Sequence, residues 1–246
     1  MTELVTTRFE GEVLVVGINR PERKNALTLP MYQALAEALS QSDLSKKAGA
    51  VVLHGGKDCF SAGFDLAELG ALTEVSNENH PVIQFMNAMR HCPLPILAAV
   101  SGKAVGIGAT LLLHCDLVYA SKTASLRFPF VDLGLVPEFA ASYLLPRLCG
   151  YGFAAESLLM AEEIPAELAY AKGIIHYLVN DPLFVALNQA QKLSKKPRSA
   201  LISTKRLLRE ANEQVVSQTI KRENEAFSAA LSSEAFGQAV KAFFQS

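Results

Sequence analysis

The sequence predicts an α/β fold with a helical tail, and three observations carry that expectation. Short β-favouring runs alternate with turns and helical patterns from residue 3 to residue 179. Beyond Pro182 the pattern is wholly helical. The 246 residues are 50% hydrophobic with a net charge of −1, the balance of a compact soluble protein with ample surface to bury.

Residues 3–18 read as a hairpin, with β-favouring residues on both sides of Glu10-Gly11 and then the apolar run Val13–Ile18. Thr28 is placed to cap a helix with Pro30 in its first turn, running through Met31–Leu44 on apolar spacings of three and four. Ala50–His54 is a short buried strand ended by Gly55-Gly56. The polar stretch 73–80 reads as a loop, and Pro81 opens a helix to about His91. Pro95–Val100 is the next strand, and a glycine loop leads from it into an apolar helix, Gly108–His114. Leu117–Ala120 and Ser125–Phe128 read as strands, followed by helices at about 139–148, 151–161 and 166–172 and a strand at Gly173–Val179.

Charge shifts at Lys192–Pro197 divide the chain into a core, 1–194, and a helical region, 195–246. The last helices carry Ile220, Phe227, Leu231, Phe236, Val240 and Phe243-Phe244, an apolar density that needs a covering surface. A partner subunit or the chain's own core would each supply it.

Several classes are disfavoured. No basic excess points to nucleic acid as the main ligand. Cys59, Cys92, Cys115 and Cys149 form no C-x-x-C pair, so they read as reduced, mostly buried thiols and not as a zinc site or disulfide framework. Met1–Val5 does not start a signal peptide, and the apolar stretches Pro93–Val100 and Ala109–Leu113 are too short to span a bilayer. Phe244-Gln245-Ser246 is not an evident peroxisomal address. The expectation is a cytoplasmic protein that acts away from membranes.

The chemistry is concentrated in three segments. Cys59–Leu66 and Ser101–Gly108 are glycine-bearing loops, and Leu133–Glu138 places a carboxylate downstream of both. A backbone N–H pair from such loops, faced by one carboxylate, can hold an enolate and move a proton. Glycine-rich turns before helices often serve packing alone, so the case rests on the pair of loops. Gly102–Gly108 is neither a Walker loop nor a dinucleotide fingerprint. The competing reading of Glu138 is a surface carboxylate at the N-terminus of a helix over 139–148. His54 and His114 sit in apolar surroundings and read as core histidines, and Ser61 lacks the Gly-x-Ser-x-Gly frame of a hydrolase nucleophile.

Asn19–Leu27, Phe60–Leu66 and Val100–Ser121, in that order and spacing, resemble the crotonase (enoyl-CoA hydratase/isomerase) superfamily, whose members process acyl-CoA thioesters. The resemblance implies a crotonase-like spiral of β-β-α units with a C-terminal helical oligomerisation region, assembled as a homotrimer or a dimer of trimers. It implies no cofactor, since coenzyme A is part of the substrate, and no metal. Carried over, the N–H groups of Ala62 and Ile107 would bind the thioester oxygen. Lys24, Ala26, Ser61, Phe64, Asp65, Leu66 and Gly106 would form the substrate site, Lys24 toward the CoA phosphates and Phe64 and Leu66 beside adenine and pantetheine. Asp65 is also placed to cap a short helix at 66–69. Family hydratases carry two glutamates where this chain has Thr110 and Phe130. Glu138 instead matches the catalytic position of monofunctional Δ3,Δ2-enoyl-CoA isomerases, with Asp132 a possible assistant. The expected activity is therefore isomerisation in fatty-acid degradation (β-oxidation). A hydratase or other crotonase reaction, and a non-catalytic acyl-CoA-binding scaffold, are the alternatives.

Overall fold

The computed structural model describes residues 3–41, 44–68 and 77–245. β1 (Val5–Glu10) and β2 (Val13–Ile18) form the expected antiparallel hairpin. From there the chain alternates between two sheets. β3 (Ala50–His54) is followed by β4 (Cys59–Ser61), β5 (Ile96–Val100) by β6 (Lys103–Val105), and β7 (Leu117–Ala120) by β8 (Ser125–Arg127). The first strand of each pair joins a six-stranded sheet, β1-β2-β3-β5-β7-β10, and the second a four-stranded sheet, β4-β6-β8-β9. Here β9 is Ile164–Pro165 and β10 is Tyr177–Leu178. All pairings are parallel except β1 with β2 and β8 with β9.

The large sheet is buried on both faces, which is why β2 reads as an unbroken apolar run. Successive side chains on a strand point to opposite faces. Val13 and Val15 of β2 therefore share a cluster with Ala186 and Ala190 of α8 (Pro182–Ser194). Leu14 and Val16 join the main core, with α1 (Leu29–Ser40) and α3 (Pro81–His91). Between and after these helices lie α2 (Leu44–Lys47), α4 (Ile107–Thr110), α5 (Ala141–Cys149), α6 (Tyr151–Leu159) and α7 (Ala166–Ala171). The tail is α9 (Arg198–Leu231) and α10 (Glu234–Gln245).

Several elements differ from expectation. α1 stops at Ser40, and Thr28, at its N-cap, makes no capping bond. The Glu68 carboxylate takes the Leu29 N–H instead, at 2.9 Å. The strand expected over 173–179 shrinks to two residues, because the chain first closes α7. Gly173 takes φ +78° and the N–H groups of Ile174 and Ile175 both return to Ala169 O. The loop expected at 73–80 falls largely outside the described residues.

The tail sits on the same chain's core. α9 buries Val216, Ile220 and Phe227, and with them the polar Lys205, Thr219 and Glu223. Asp116, beside β7, anchors its first half: Lys205 Nζ lies 2.8 Å from one carboxylate oxygen and Arg209 Nη2 3.1 Å from the other. Arg209 also donates to His114 O at 2.6 Å. No described helix is long and apolar enough to cross a membrane.

Candidate active site

Two loops interlock at the C-terminal ends of β4 and β6. Gly63 has φ +90°, and a Cβ there would stand 2.7 Å from Val105 O. A Cβ on Gly108 would stand 2.7 Å from Ser61 O. Side chains at these positions would force the loops apart, so glycine is what allows the backbones to meet.

The first loop is laid against the turn at 24–27 by three bonds. Ala62 N–H donates to Lys24 O at 3.0 Å, Leu27 N–H to Gly63 O at 2.7 Å, and Asp65 N–H to Leu27 O at 2.9 Å. This overturns the expectation for Ala62, whose amide is already spent on Lys24. Phe64 is the residue bridged in parallel with Leu27. Alternate peptide groups of an extended segment face opposite sides, so with Gly63 O and Asp65 N turned to Leu27, the Phe64 N–H faces away from that turn. It has no acceptor among the described residues and belongs to a cavity wall. In the second loop, Gly106 (φ +56°) precedes Ile107, the first residue of α4. Gly106 O accepts from Ala109 and Thr110, which leaves the Ile107 N–H ahead of the first helical bonds.

The cavity holds about 430 Å³ and is mainly apolar. Ala62, Phe64, Leu66, Gly106, Ile107 and Glu138 all line it, so the structure brings together six of the residues expected to form the site. Phe130 and Asp132 are also wall residues. Phe227 of α9 and Ala239 and Ala242 of α10 close the cavity from the tail.

Lys24, Ala26, Ser61 and Asp65 stand outside that wall, and their polar atoms are largely occupied. Ser61 is fully buried; its Oγ donates to Asn25 O at 2.9 Å and accepts from Gly63 N–H at 3.1 Å, so it shapes the loop and touches no ligand space. Asp65 caps the short turn after it through Ala67 N–H at 3.0 Å and pairs with Arg20 at 2.6 Å, which holds its carboxyl below the usual range against the opposing effect of burial. Ala26 O accepts from Arg20 Nη1 at 3.1 Å. Lys24 is exposed in a left-handed conformation. Asp132 is ion-paired with Arg127 at 2.9 Å.

Glu138 does not sit on a helix. Phe139 and Ala140 both take left-handed φ, +57° and +58°, and α5 begins only at Ala141. The carboxylate that satisfies the N-terminus of α5 is Glu223, reaching in from α9. It accepts from Ala140 N–H at 2.5 Å, from Ser142 N–H at 2.9 Å and from Ser142 Oγ at 2.5 Å. His114 holds the other side of the turn: its Nε2–H donates to Phe139 O at 2.7 Å, and the rings stack at 3.7 Å. The carbonyl can only accept, so Nε2 carries the proton. Burial, with Arg209 and Arg90 nearby, lowers the His114 pKa to about 3, and the ring is neutral.

The Glu138 carboxyl therefore faces the cavity. Removal from water is the main cause of its raised pKa, about 8, and the Glu223 carboxylate adds to it. Thr110 Oγ1, 3.5 Å from Glu138 Oε1, offers only a long contact that opposes the shift weakly. Tyr32, also on the wall, is kept protonated by burial and by the same carboxylate. Sequence reasoning missed Phe64 as an amide donor, and missed Glu223 altogether. The first could have been found from the period of the extended segment; nothing local marks the second.

The pairing of each large-sheet strand with a short strand of a second sheet, wound three times, is the crotonase fold. The chain belongs to the enoyl-CoA hydratase/isomerase family, which it matches over residues 8–245. A solved enoyl-CoA hydratase/isomerase from Pseudoalteromonas atlantica superposes with a TM-score of 0.91 at 37% identity, over 99% of this chain and 97% of that one. Enoyl-CoA delta isomerase 2 of Rattus norvegicus is 34% identical over 84% of this chain, which spans 54% of the rat protein's length. The 2,3-dehydroadipyl-CoA hydratase of Escherichia coli is 29% identical over 100% of this chain and 96% of its own.

Proposed function

We propose that the protein is a Δ3,Δ2-enoyl-CoA isomerase. The observation that carries this reading is Glu138, the one carboxyl of an apolar cavity wall with no ion-pair partner among the described residues (Asp132 is paired with Arg127), beside the amides of Phe64 and Ile107, which have no acceptor among those residues. The thioester oxygen of a 3-enoyl-CoA accepts from those two amides. The Glu138 carboxylate removes a proton from C2, and the electron pair spreads over the carbonyl and C3=C4 as a dienolate. The same carboxyl then returns the proton to C4, leaving the double bond between C2 and C3. No water is consumed, and one group serves both transfers. A base with pKa about 8 is better matched to a weakly acidic carbon than an ordinary carboxylate.

Hydration would require groups that orient a water. Where family hydratases carry glutamates this chain has buried Thr110 and Phe130, and neither can act as an acid or base. The cavity suits the acyl end of the substrate, with the CoA moiety outside it near exposed Lys24.

The test is incubation with a 3-enoyl-CoA, with 2-enoyl and 3-hydroxyacyl products separated by mass. Conjugation without gain of water is expected, and Glu138→Gln should lower kcat by roughly 10²–10⁴-fold with binding retained. A 3-hydroxyacyl product would replace this reading with a hydratase. Binding without turnover would replace it with a scaffold.

A further inference from the structure

The turn that aims Glu138 is held by a residue of the tail. Two consecutive left-handed residues without glycine are strained and persist only where their surroundings over-determine them. Phe139 and Ala140 are such a pair. Their restraints come from His114 on one side and from Glu223 on the other, 83 residues along the chain from Ala140. Glu223 is buried, and all three of its donors lie within this turn and the start of α5.

We propose that Glu223 is a positioning residue for the reaction: by accepting from Ala140 and Ser142 it fixes the Phe139–Ala140 turn that aims Glu138 and holds a second carboxylate against that turn. This rests on the isomerase reading for its catalytic meaning, but not for its physical content. The two carboxyls differ in what stabilises their charge. Burial raises the Glu223 pKa above the ordinary carboxylate value, and two N–H donors, a hydroxyl and nearby Arg222 partly offset that rise by favouring its ionised form. Among the described residues, Glu138 has only the long contact with Thr110. With two like charges interacting in a desolvated place, the better-solvated one ionises first and raises its neighbour. The other groups that face Glu138 do not reverse this. Tyr32 of α1 is a neutral phenol, itself near Glu68. Arg127 and Asp132 on the cavity wall neutralise each other, and Arg222 lies near Glu223 on α9. The consequence is that the tail helix sets both the aim and the proton affinity of the base.

The experiment uses the full-length protein labelled with glutamate bearing ¹³C at the carboxyl carbon, titrated by NMR, with the Glu138 signal assigned by its loss in Glu138→Gln. In the wild type, Glu138 should titrate well above Glu223. In Glu223→Gln the Glu138 midpoint should fall by about one pH unit or more as the neighbouring charge is removed. The rising limb of the pH–rate profile should move down with it, an effect that loss of packing alone would not produce. Ser142→Ala removes one donor to Glu223 and leaves its carboxyl in place, so the Glu223 midpoint should rise toward that of Glu138. An unmoved Glu138 midpoint in Glu223→Gln overturns the proposal; should that variant not fold, an unmoved Glu223 midpoint in Ser142→Ala overturns it. A wild type in which Glu223 is the high-titrating group also overturns it. If the titrations come out as expected but no 3-enoyl-CoA is converted, the isomerase reading fails and the proton assignment stands.

Discussion

The identity of the first oxyanion donor can be settled by replacing single backbone N–H groups with ester oxygens. An α-hydroxy acid at position 64 removes the Phe64 N–H and leaves its side chain in place; the same change at 62 removes the Ala62 N–H. The structure separates the two outcomes. Phe64 N–H has no acceptor among the described residues, so its loss breaks no bond among them, and the ester's cost to the fold is limited to a weaker Gly63 carbonyl for the Leu27 N–H. In the proposed mechanism it removes one of two donors to the developing oxyanion, an expected effect of about 10²–10³ in kcat, or roughly 3–4 kcal/mol of transition-state stabilisation. Ala62 N–H donates to Lys24 O at 3.0 Å, so its loss should cost about 1 kcal/mol of stability. For a chain of this length that is a fall of about 2–4 °C in Tm, with a much smaller change in kcat. The assay pairs steady-state turnover of a 3-enoyl-CoA with thermal unfolding on both esters. A position-62 ester that abolishes turnover beside a position-64 ester with wild-type turnover would refute the assignment of Phe64 and restore Ala62.

Two further outcomes follow from the buried ionisable groups. A Glu138 pKa raised to about 8 in the fold means that the native state holds its proton more tightly than the unfolded chain, so stability is present below the unfolded carboxylate range and falls as pH rises through about 8. Glu138→Gln, which cannot ionise, should therefore raise Tm by a few degrees at pH 8.5 and by little at pH 5, as read by calorimetry; an equal effect at both values would show that the carboxyl is not desolvated. His114 works in the opposite direction. Its folded pKa of about 3 lies below the unfolded value near 6.5, so the unfolded chain binds the extra proton, and stability is lost as pH falls between them. His114→Gln, which keeps a side-chain N–H for the Phe139 carbonyl, should flatten the loss of Tm between pH 6.5 and 4; a profile unchanged from wild type would refute the buried neutral imidazole.

Much of this was legible in the chain. The inner strands β2, β3 and β5 of the large sheet are apolar runs of five or six residues bounded by turns, and burial on both faces leaves a strong local mark on them. β4, β6 and β8 are three residues each, too short to show a period, and were absorbed into the glycine loops or extended by a residue. Glu138 was visible because its neighbours carry a motif, yet the expected helix over 139–148 hid the left-handed turn that frees it. Glu223 was invisible for a different reason: on a 34-residue helix rich in charge, one more glutamate reads as a solvated face.

The sequence by itself determined the inner strands of the large sheet and the order of the main helices, the glycines that let two loops meet, and the absence of hydratase-like glutamates at Thr110 and Phe130, because each depends on residue type and near-neighbour spacing. Only the tertiary structure decided which amide is unspent and what surrounds the base. Ala62 and Phe64 differ in whether Lys24 O is within reach, and the proton affinity of Glu138 depends on a carboxylate brought in by α9. Hydrogen-bond partners and desolvation are properties of what the folded chain places nearby in space, and distance along the sequence does not encode them.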